Sequence, residues 1–161
     1  MTKIARHLPA RPRLAAFAAA VSLTAAPLAA QPPEPSVADG RPLVSVRELM
    51  EKTITPVTNT LWNAFEPPQS EDEWLRLEEA GVTLLVAAQA LALGGTGPMD
   101  AEWAKNPAWR AYNQAMTTAA FDALRAVRGR DHDALLAAGD ALLAPCEGCH
   151  QQFNPGVIGE Q

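Results

Sequence analysis

Two cysteines and a histidine stand close together near the end of the chain, in Cys146-Glu147-Gly148-Cys149-His150. On a helix, positions 146, 149 and 150 share one face, so two thiols and an imidazole would point toward the same neighbour. This C-x-x-C-H spacing is typical of c-type haem attachment, in which the thiols add to the two vinyl groups and the imidazole binds iron. The pattern predicts one haem c per chain, with Cys146 and Cys149 as covalent anchors and His150 as the proximal iron ligand.

Three other kinds of chemistry are open to the same residues. A disulfide between Cys146 and Cys149 would explain the pairing but leaves His150 without a role. A thioredoxin-like motif would open a helix within a βαβ unit, and no strand pattern is evident in the sequence. A zinc site would need four ligands, and the only other histidine after position 30 is His132. Each alternative leaves part of the pattern unexplained.

The apolar residues predict four helices that would position these groups. The first helix is interrupted by Pro56, which cannot donate a backbone hydrogen bond, so we expect a kink or a restart with Thr55 as a cap. Its inward positions are Val46, Leu49, Met50, Ile54, Val57, Leu61 and Phe65.

The other three helices have clear ends. Ser70 and Glu73 have the spacing of a capping box that begins the second helix, and Gly94-Gly95 ends it. Asn106-Pro107 begins the third, after a polar connection, and Gly129 ends it. Asp131 caps the fourth, which runs to Asn154-Pro155-Gly156. The inward positions of the fourth helix are Leu135, Gly139, Leu142, Cys146, Cys149 and Phe153.

The composition also favours helices packed on helices. Of the 161 residues, 48% are hydrophobic but only 6% are aromatic. Alanine and leucine dominate the apolar residues, and β-branched residues are sparse. Four helices of roughly 20 residues with mostly short loops predict an all-α fold, an antiparallel four-helix bundle over residues 44–161.

The first thirty residues have the layout of a secretory signal peptide. All four early basic residues lie within positions 1–13, residues 14–26 are uncharged and apolar, and small residues follow at positions 29 and 30. The apolar run is shorter than the roughly 18 to 20 residues of a membrane-spanning helix. We therefore expect cleavage after Ala30 and no membrane span in the mature chain. The proline-rich residues 31–43 are predicted to form a disordered tether.

Charge narrows the range of partners. Beyond residue 30, nine basic residues stand against 18 acidic ones, a net charge of −9. Such a surface repels phosphate backbones and anionic lipid, so no nucleic-acid partner is expected. The same charge favours a basic or neutral protein as the partner.

With C-x-x-C-H on the last of four predicted helices, and Phe153 three residues after the histidine, the chain resembles the class II cytochromes c. This is the family of the cytochromes c-prime and their low-spin relatives. The similarity spans about residues 44–155. It implies an antiparallel four-helix bundle with haem covalently attached near the C-terminal end of helix four.

The resemblance also suggests the second axial ligand. Leu49-Met50 on the first helix looks like the family position that faces the distal side of the haem. A thioether opposite an imidazole gives six-coordinate, low-spin iron with a raised reduction potential, which suits electron transfer. If Met50 only packs over the ring, the iron stays open to NO or CO. Met116 and Met99 are the other candidate ligands.

The surroundings of His150 favour one of these two functions. Gas-binding members of the family often carry a basic residue close to the motif histidine, whereas Glu147, Gln151 and Gln152 flank it here. We therefore expect an exported, periplasmic one-electron carrier that serves redox partner proteins and is not an enzyme. A five-coordinate protein that binds NO or CO is the alternative, and a thiol redox enzyme is a further one. Because relatives are commonly dimers through their first two helices, a homodimer is also open.

Overall fold

The computed structural model of the protein describes Gly40 and residues 42–154. The predicted signal peptide, most of the predicted tether and the segment after Asn154 lie outside these described residues. Every described residue belongs to one compact unit. Helices account for 79% of the described residues, and none of those residues forms a strand. The predicted all-α class is confirmed.

The first helix, α1, changes its hydrogen bonding at Met50. It consists of an α-helical turn, Val46–Leu49, a π-helical turn, Met50–Ile54, and an α-helical segment, Thr55–Trp62. The Thr55 N–H donates to the Met50 carbonyl, five residues back. This wider turn shifts the register just before Pro56, the residue that has no N–H to donate. The predicted restart with Thr55 as a cap is wrong, because Thr55 is helical and the chain runs through the irregularity.

The start of α1 is capped and its end is earlier than predicted. Ser45 and Glu48 form a reciprocal capping box that the sequence analysis missed, with the Ser45 Oγ accepting from the Glu48 N–H. The helix ends at Trp62, and Phe65 lies beyond it with 70% of its surface exposed. The prediction that Phe65 faces inward is therefore wrong. The two prolines at positions 67 and 68 favour extended backbone before them, which suits an early end.

The second helix, α2, spans Glu71–Ala92. Ser70 caps it as predicted, because its Oγ accepts from the Glu73 N–H at 3.2 Å. The Glu73 carboxylate accepts from the Gln69 N–H at 2.6 Å, one residue before the position that a capping box would use. Gly94 follows the helix with φ of +84°, a left-handed conformation that glycine adopts without strain.

A short helix, α3, occupies Asp100–Lys105, within the stretch predicted to be a polar connection. The next helix, α4, spans Pro107–Gly129 and is capped by Asn106, as predicted. The last helix, α5, spans His132–Phe153 and is capped by Asp131, also as predicted. No described helix combines the length and the apolar character that crossing a membrane requires.

The helices pack in a bundle-like arrangement around a shared core. Helix α4 packs along α5 and α2, and α1 packs against α2 and, less extensively, α5. A Cβ added at Gly81 of α2 would lie only 3.3 Å from the Leu124 Cβ of α4, so this glycine permits close helix contact. The largest fully buried side chains come from α2, α4 and α5: Leu84, Trp109, Val127, Leu135 and Leu142. Burying a side chain of this kind stabilises the fold by about 1.5–3 kcal/mol.

Candidate functional site

The motif residues lie in the last turns of α5. Cys146, Cys149 and His150 are all half-buried, and helix α5 continues past them to Phe153. Pro145, directly before the motif, is buried within the helix and has no N–H to donate to the carbonyl four residues back. Because the helix continues to Phe153, the two sulfurs and the imidazole keep the i, i+3, i+4 spacing of a common face.

Two cavities of about 520 and 590 Å³ border this face. Cys149 and His150 line both cavities, and Cys146 lines the smaller one. Met50 of α1 also lines both cavities, as does Trp109 of α4. Their volumes are in the range of small-molecule and cofactor sites. The structure therefore brings the predicted Met50 and the motif residues to the same cavities.

The three described methionines differ in how they meet these cavities. Met50 is half-buried and lines both of them. Met116 is buried and lines only the smaller cavity, whereas Met99 lines only the larger one and is 49% exposed. Met50 alone among them meets both cavities that His150 meets.

Aromatic side chains line the larger cavity at the end of α5. Trp103 of α3 stacks on Trp109 with ring centroids 5.6 Å apart. Phe153 meets Trp109 edge-on at 5.1 Å and Trp103 at 6.0 Å. Such edge-to-face and offset pairs contribute about 0.5–1.5 kcal/mol beyond the area that they bury. The cluster ties the motif-bearing end of α5 to α3 and α4.

The motif turn lies close against α4 at Gly148. A Cβ added there would lie 2.6 Å from the Cε1 atom of Tyr112. This distance is shorter than any ordinary carbon contact, so Tyr112 would have to move. Because Gly148 has no side chain, the Tyr112 ring packs directly against the motif.

One buried polar atom on the wall of the smaller cavity has no partner. The Asn113 Nδ2 donates to the Ala88 carbonyl at 3.0 Å, and this fixes which way the amide points. Its Oδ1 is buried and, within the described residues, accepts no hydrogen bond. An unmade hydrogen bond at a buried acceptor costs about 1–3 kcal/mol, so we expect a water or an occupant of the cavity to donate to it.

Both motif thiols are poor sources of thiolate. Cys146 and Cys149 are not joined in a disulfide. Burial, with a smaller contribution from the Glu147 carboxylate, raises the pKa of Cys146 to about 11. Burial, with a smaller contribution from Cys146, raises the pKa of Cys149 to about 11. Nucleophilic cysteines of thiol oxidoreductases have depressed pKa values, which is the opposite shift.

Comparisons of the chain with protein-family models, with curated proteins and with solved structures gave no match. The interpretation of the site therefore rests on its own residues. Two thiols, an imidazole and a thioether around partly apolar cavities are a donor set that fits a covalently attached haem. Across residues 42–154, no three side chains from His, Cys, Asp and Glu gather closely enough to hold a metal ion by themselves.

Sequence reasoning missed two polar residues beside the cavities. Asn113 lies four residues after Trp109 and three before Met116, so it shares the inward face of that predicted helix. A polar residue among apolar ones on such a face could have identified it. Asp100 follows a stretch with three glycines, Gly94, Gly95 and Gly97, and glycines that carry no side chain let a carboxylate approach the backbone amides of a loop. Both signals are weak without the fold.

Proposed function

We propose that this protein is an exported, monohaem c-type cytochrome of the class II type that carries one electron at a time. In this proposal the helices form an antiparallel four-helix bundle around one haem c. The observation that carries the proposal is that Met50 of α1 and Cys149 and His150 of α5 line the same two cavities. A thioether and an imidazole from separate helices thus border the same cavities, which supports a role for both as ligands of one cofactor.

Each of these side chains has a role in the proposal. Cys146 and Cys149 would hold the haem through two thioether bonds, formed as each thiol adds across a vinyl group, and His150 and Met50 would bind its iron. When bound, the haem supplies a one-electron couple at its iron. The chain supplies the axial ligands and holds them on helices, so that little has to rearrange when the charge of the site changes.

The walls of the smaller cavity support this role. Ile54, Leu91, Trp109 and Met116 give it an apolar lining, and all four are buried. An apolar wall excludes water and lowers the local dielectric, which disfavours the more highly charged state of the site. Together with a methionine ligand, this raises the reduction potential.

The thiol redox alternative is disfavoured by chemistry of the chain itself. Both cysteines are half-buried near the C-terminal end of α5, and the pKa of each is raised to about 11. A thiol enzyme working near neutral pH needs a ready supply of thiolate, and catalytic cysteines obtain it at helix N-termini or beside cations. The half-buried thiols are better suited to a covalent attachment that is made once.

We propose that the protein works in the periplasm and exchanges electrons with other proteins. Export through the predicted signal peptide of residues 1–30 precedes covalent haem attachment. The net charge of −9 beyond residue 30 favours basic or neutral redox partners over anionic ones. The partners would approach the edge of the site without binding in its interior.

Visible spectra of the mature protein, made in a bacterial host able to attach haem, test the proposal against the gas-binding alternative. We expect a low-spin spectrum, a weak far-red band from sulfur–iron ligation in the oxidised form, and no rapid CO binding in the reduced form. A high-spin spectrum with rapid CO or NO binding would support the five-coordinate alternative instead.

A further inference from the structure

The carboxylate of Asp100 is buried between two segments that are distant in the chain. The residue is only 4% exposed, and none of the described salt bridges involves it. One oxygen, Oδ2, accepts from the Val46 N–H at 2.8 Å and from the Gly97 N–H at 2.8 Å. Backbone amides therefore satisfy a buried carboxylate at the first turn of α1, where the helix dipole also favours negative charge.

The glycines of the preceding loop make room for this arrangement. A Cβ added at Gly95 would collide with the Asp100 Oδ2 and would lie 2.6 Å from the Val46 nitrogen. A Cβ at Gly97 would lie 2.7 Å from the same oxygen. The Thr96 N–H donates to the Val44 carbonyl at 3.1 Å, which joins the same two segments a second time. The loop and the start of α1 thus fit closely around one carboxylate.

A series of hydrogen bonds connects Asp100 to the backbone of Met50. The Val46 N–H donates to Asp100, and the Met50 N–H is shared between the Arg47 and Val46 carbonyls. The Met50 carbonyl in turn accepts from the Thr55 N–H across the π-helical turn. In addition, Asp100 and the loop residues Gly97, Pro98 and Met99 line the same larger cavity as Met50.

We propose that Asp100 is a positioning residue for Met50. This inference rests on the proposed function, in which Met50 is an axial ligand of iron. Only one α-helical turn, Val46–Leu49, precedes Met50, so the place of Met50 depends on how firmly that turn is held. Hydrogen bonds to a charged acceptor are about twice as strong as those between neutral groups, and Asp100 makes two of them. The carboxylate therefore keeps Met50 in the cavities that it shares with His150.

The test compares haem-loaded Asp100→Ala and Asp100→Asn with the wild type. Glu102→Gln is the matched control, because Glu102 is on the same short helix but is exposed and, among the described residues, pairs only with Lys105. The readouts are the far-red sulfur–iron band, the reduction potential, CO binding by the reduced protein, and hydrogen exchange of the Val46 and Gly97 amides.

We expect Asp100→Ala to speed exchange of both amides by about tenfold, to weaken the far-red band and to let CO bind. In Asp100→Asn the amide exchange rates, the band and CO binding should be intermediate between those of Asp100→Ala and the wild type. A neutral amide oxygen can accept the same hydrogen bonds, but more weakly. Glu102→Gln should match the wild type in every readout. Gly95→Ala should reproduce the Asp100→Ala result by steric displacement, and Gly129→Ala, which meets nothing within 4 Å, is its control.

The outcomes separate this inference from the proposed function. If amide exchange rises in Asp100→Ala while the band and the potential stay at wild-type values, the carboxylate is only structural and the inference is wrong. If the wild type holds haem but shows no sulfur–iron band, both the inference and the Met50 assignment fail, while the covalent haem stands. If Asp100→Ala does not fold, Asp100→Asn and Gly95→Ala decide the question by the same readouts.

Discussion

Trp62 of α1 and Gly139 of α5 are joined by a hydrogen bond in which the indole Nε1 donates to the glycine carbonyl at 2.9 Å. The two residues are 77 positions apart in the chain. Trp62 also lines the smaller cavity, so this bond ties the helix that carries Met50 to the helix that carries Cys146, Cys149 and His150. It fixes the two helices relative to each other beside this cavity.

Replacing Trp62 by Phe keeps most of the apolar ring but removes the N–H donor. We expect the free energy of unfolding to fall by about 0.5–1.5 kcal/mol, the net value of such a hydrogen bond, with some further loss from the smaller ring. Urea unfolding of the mature wild type and variant measures this difference in the free energy of unfolding. Trp103→Phe is the control, because no hydrogen bond of its indole N–H is described. An equal loss in both variants would mean that ring volume, and not the bond to Gly139, matters.

The assignment of Met50 predicts a distinct pattern among the methionine variants. Met50→Ala should abolish the far-red sulfur–iron band and open the reduced iron to CO, because the distal thioether is gone. Met99→Ala should leave both properties unchanged, since Met99 is 49% exposed and lines only the larger cavity. Met116→Leu, which keeps the volume of a buried residue, should also leave the band in place. If Met50→Ala keeps the band and one of the two controls loses it, the methionine replaced in that control is the ligand.

The raised pKa of each motif thiol predicts how the chain without attached haem responds to alkali. Because the folded pKa of about 11 exceeds the ordinary value of 9.0, the fold favours the thiol form. The stability that the fold gains from keeping these thiols protonated is fully present below about pH 9 and is lost as the pH rises through about 11. The rate of alkylation by iodoacetamide should rise with a midpoint near pH 11 in the folded chain and near pH 9 in urea. A midpoint at about 7 or lower would favour a thiol redox function instead.

The two inward glycines should respond differently to substitution. At Gly81 even a Cβ would lie 3.3 Å from Leu124, so Gly81→Val should destabilise the protein by about 1–3 kcal/mol through overpacking. At Gly139 a Cβ would be in ordinary contact with Trp62 at 3.5 Å, and Gly139→Ala should gain up to about 1 kcal/mol from helix propensity. Thermal unfolding compares the two. Equal effects at both positions would contradict the close contact between α2 and α4.

Local signals in the sequence predicted the helix starts well. Ser70, Asn106 and Asp131 each cap the helix predicted to follow them, because a capping side chain bonds to backbone only two or three residues away. Pro56 signalled an irregularity for an equally local reason. The form of that irregularity, a π turn beginning at Met50, depends on how α1 packs and could not be predicted from the proline alone.

Contacts between distant residues were beyond the reach of the sequence. The bond from Trp62 to Gly139 and the bond from the Val46 N–H to Asp100 join residues 77 and 54 positions apart, and no periodicity encodes such pairs. Phe65 was misplaced because the pattern of apolar residues continues past the point where the backbone leaves the helix. The spacing of Cys146, Cys149 and His150 predicted a shared face, and only the fold could bring Met50 to the same cavities.

The intact mass of the mature protein, purified under denaturing conditions from a host able to attach haem, tests the central claim most directly. The account predicts a coloured protein whose mass exceeds that of the polypeptide by one haem, with the addition lost when both Cys146 and Cys149 are replaced by Ser. A colourless protein with the mass of the bare polypeptide, from a host that loads haem on a known c-type cytochrome, would contradict it.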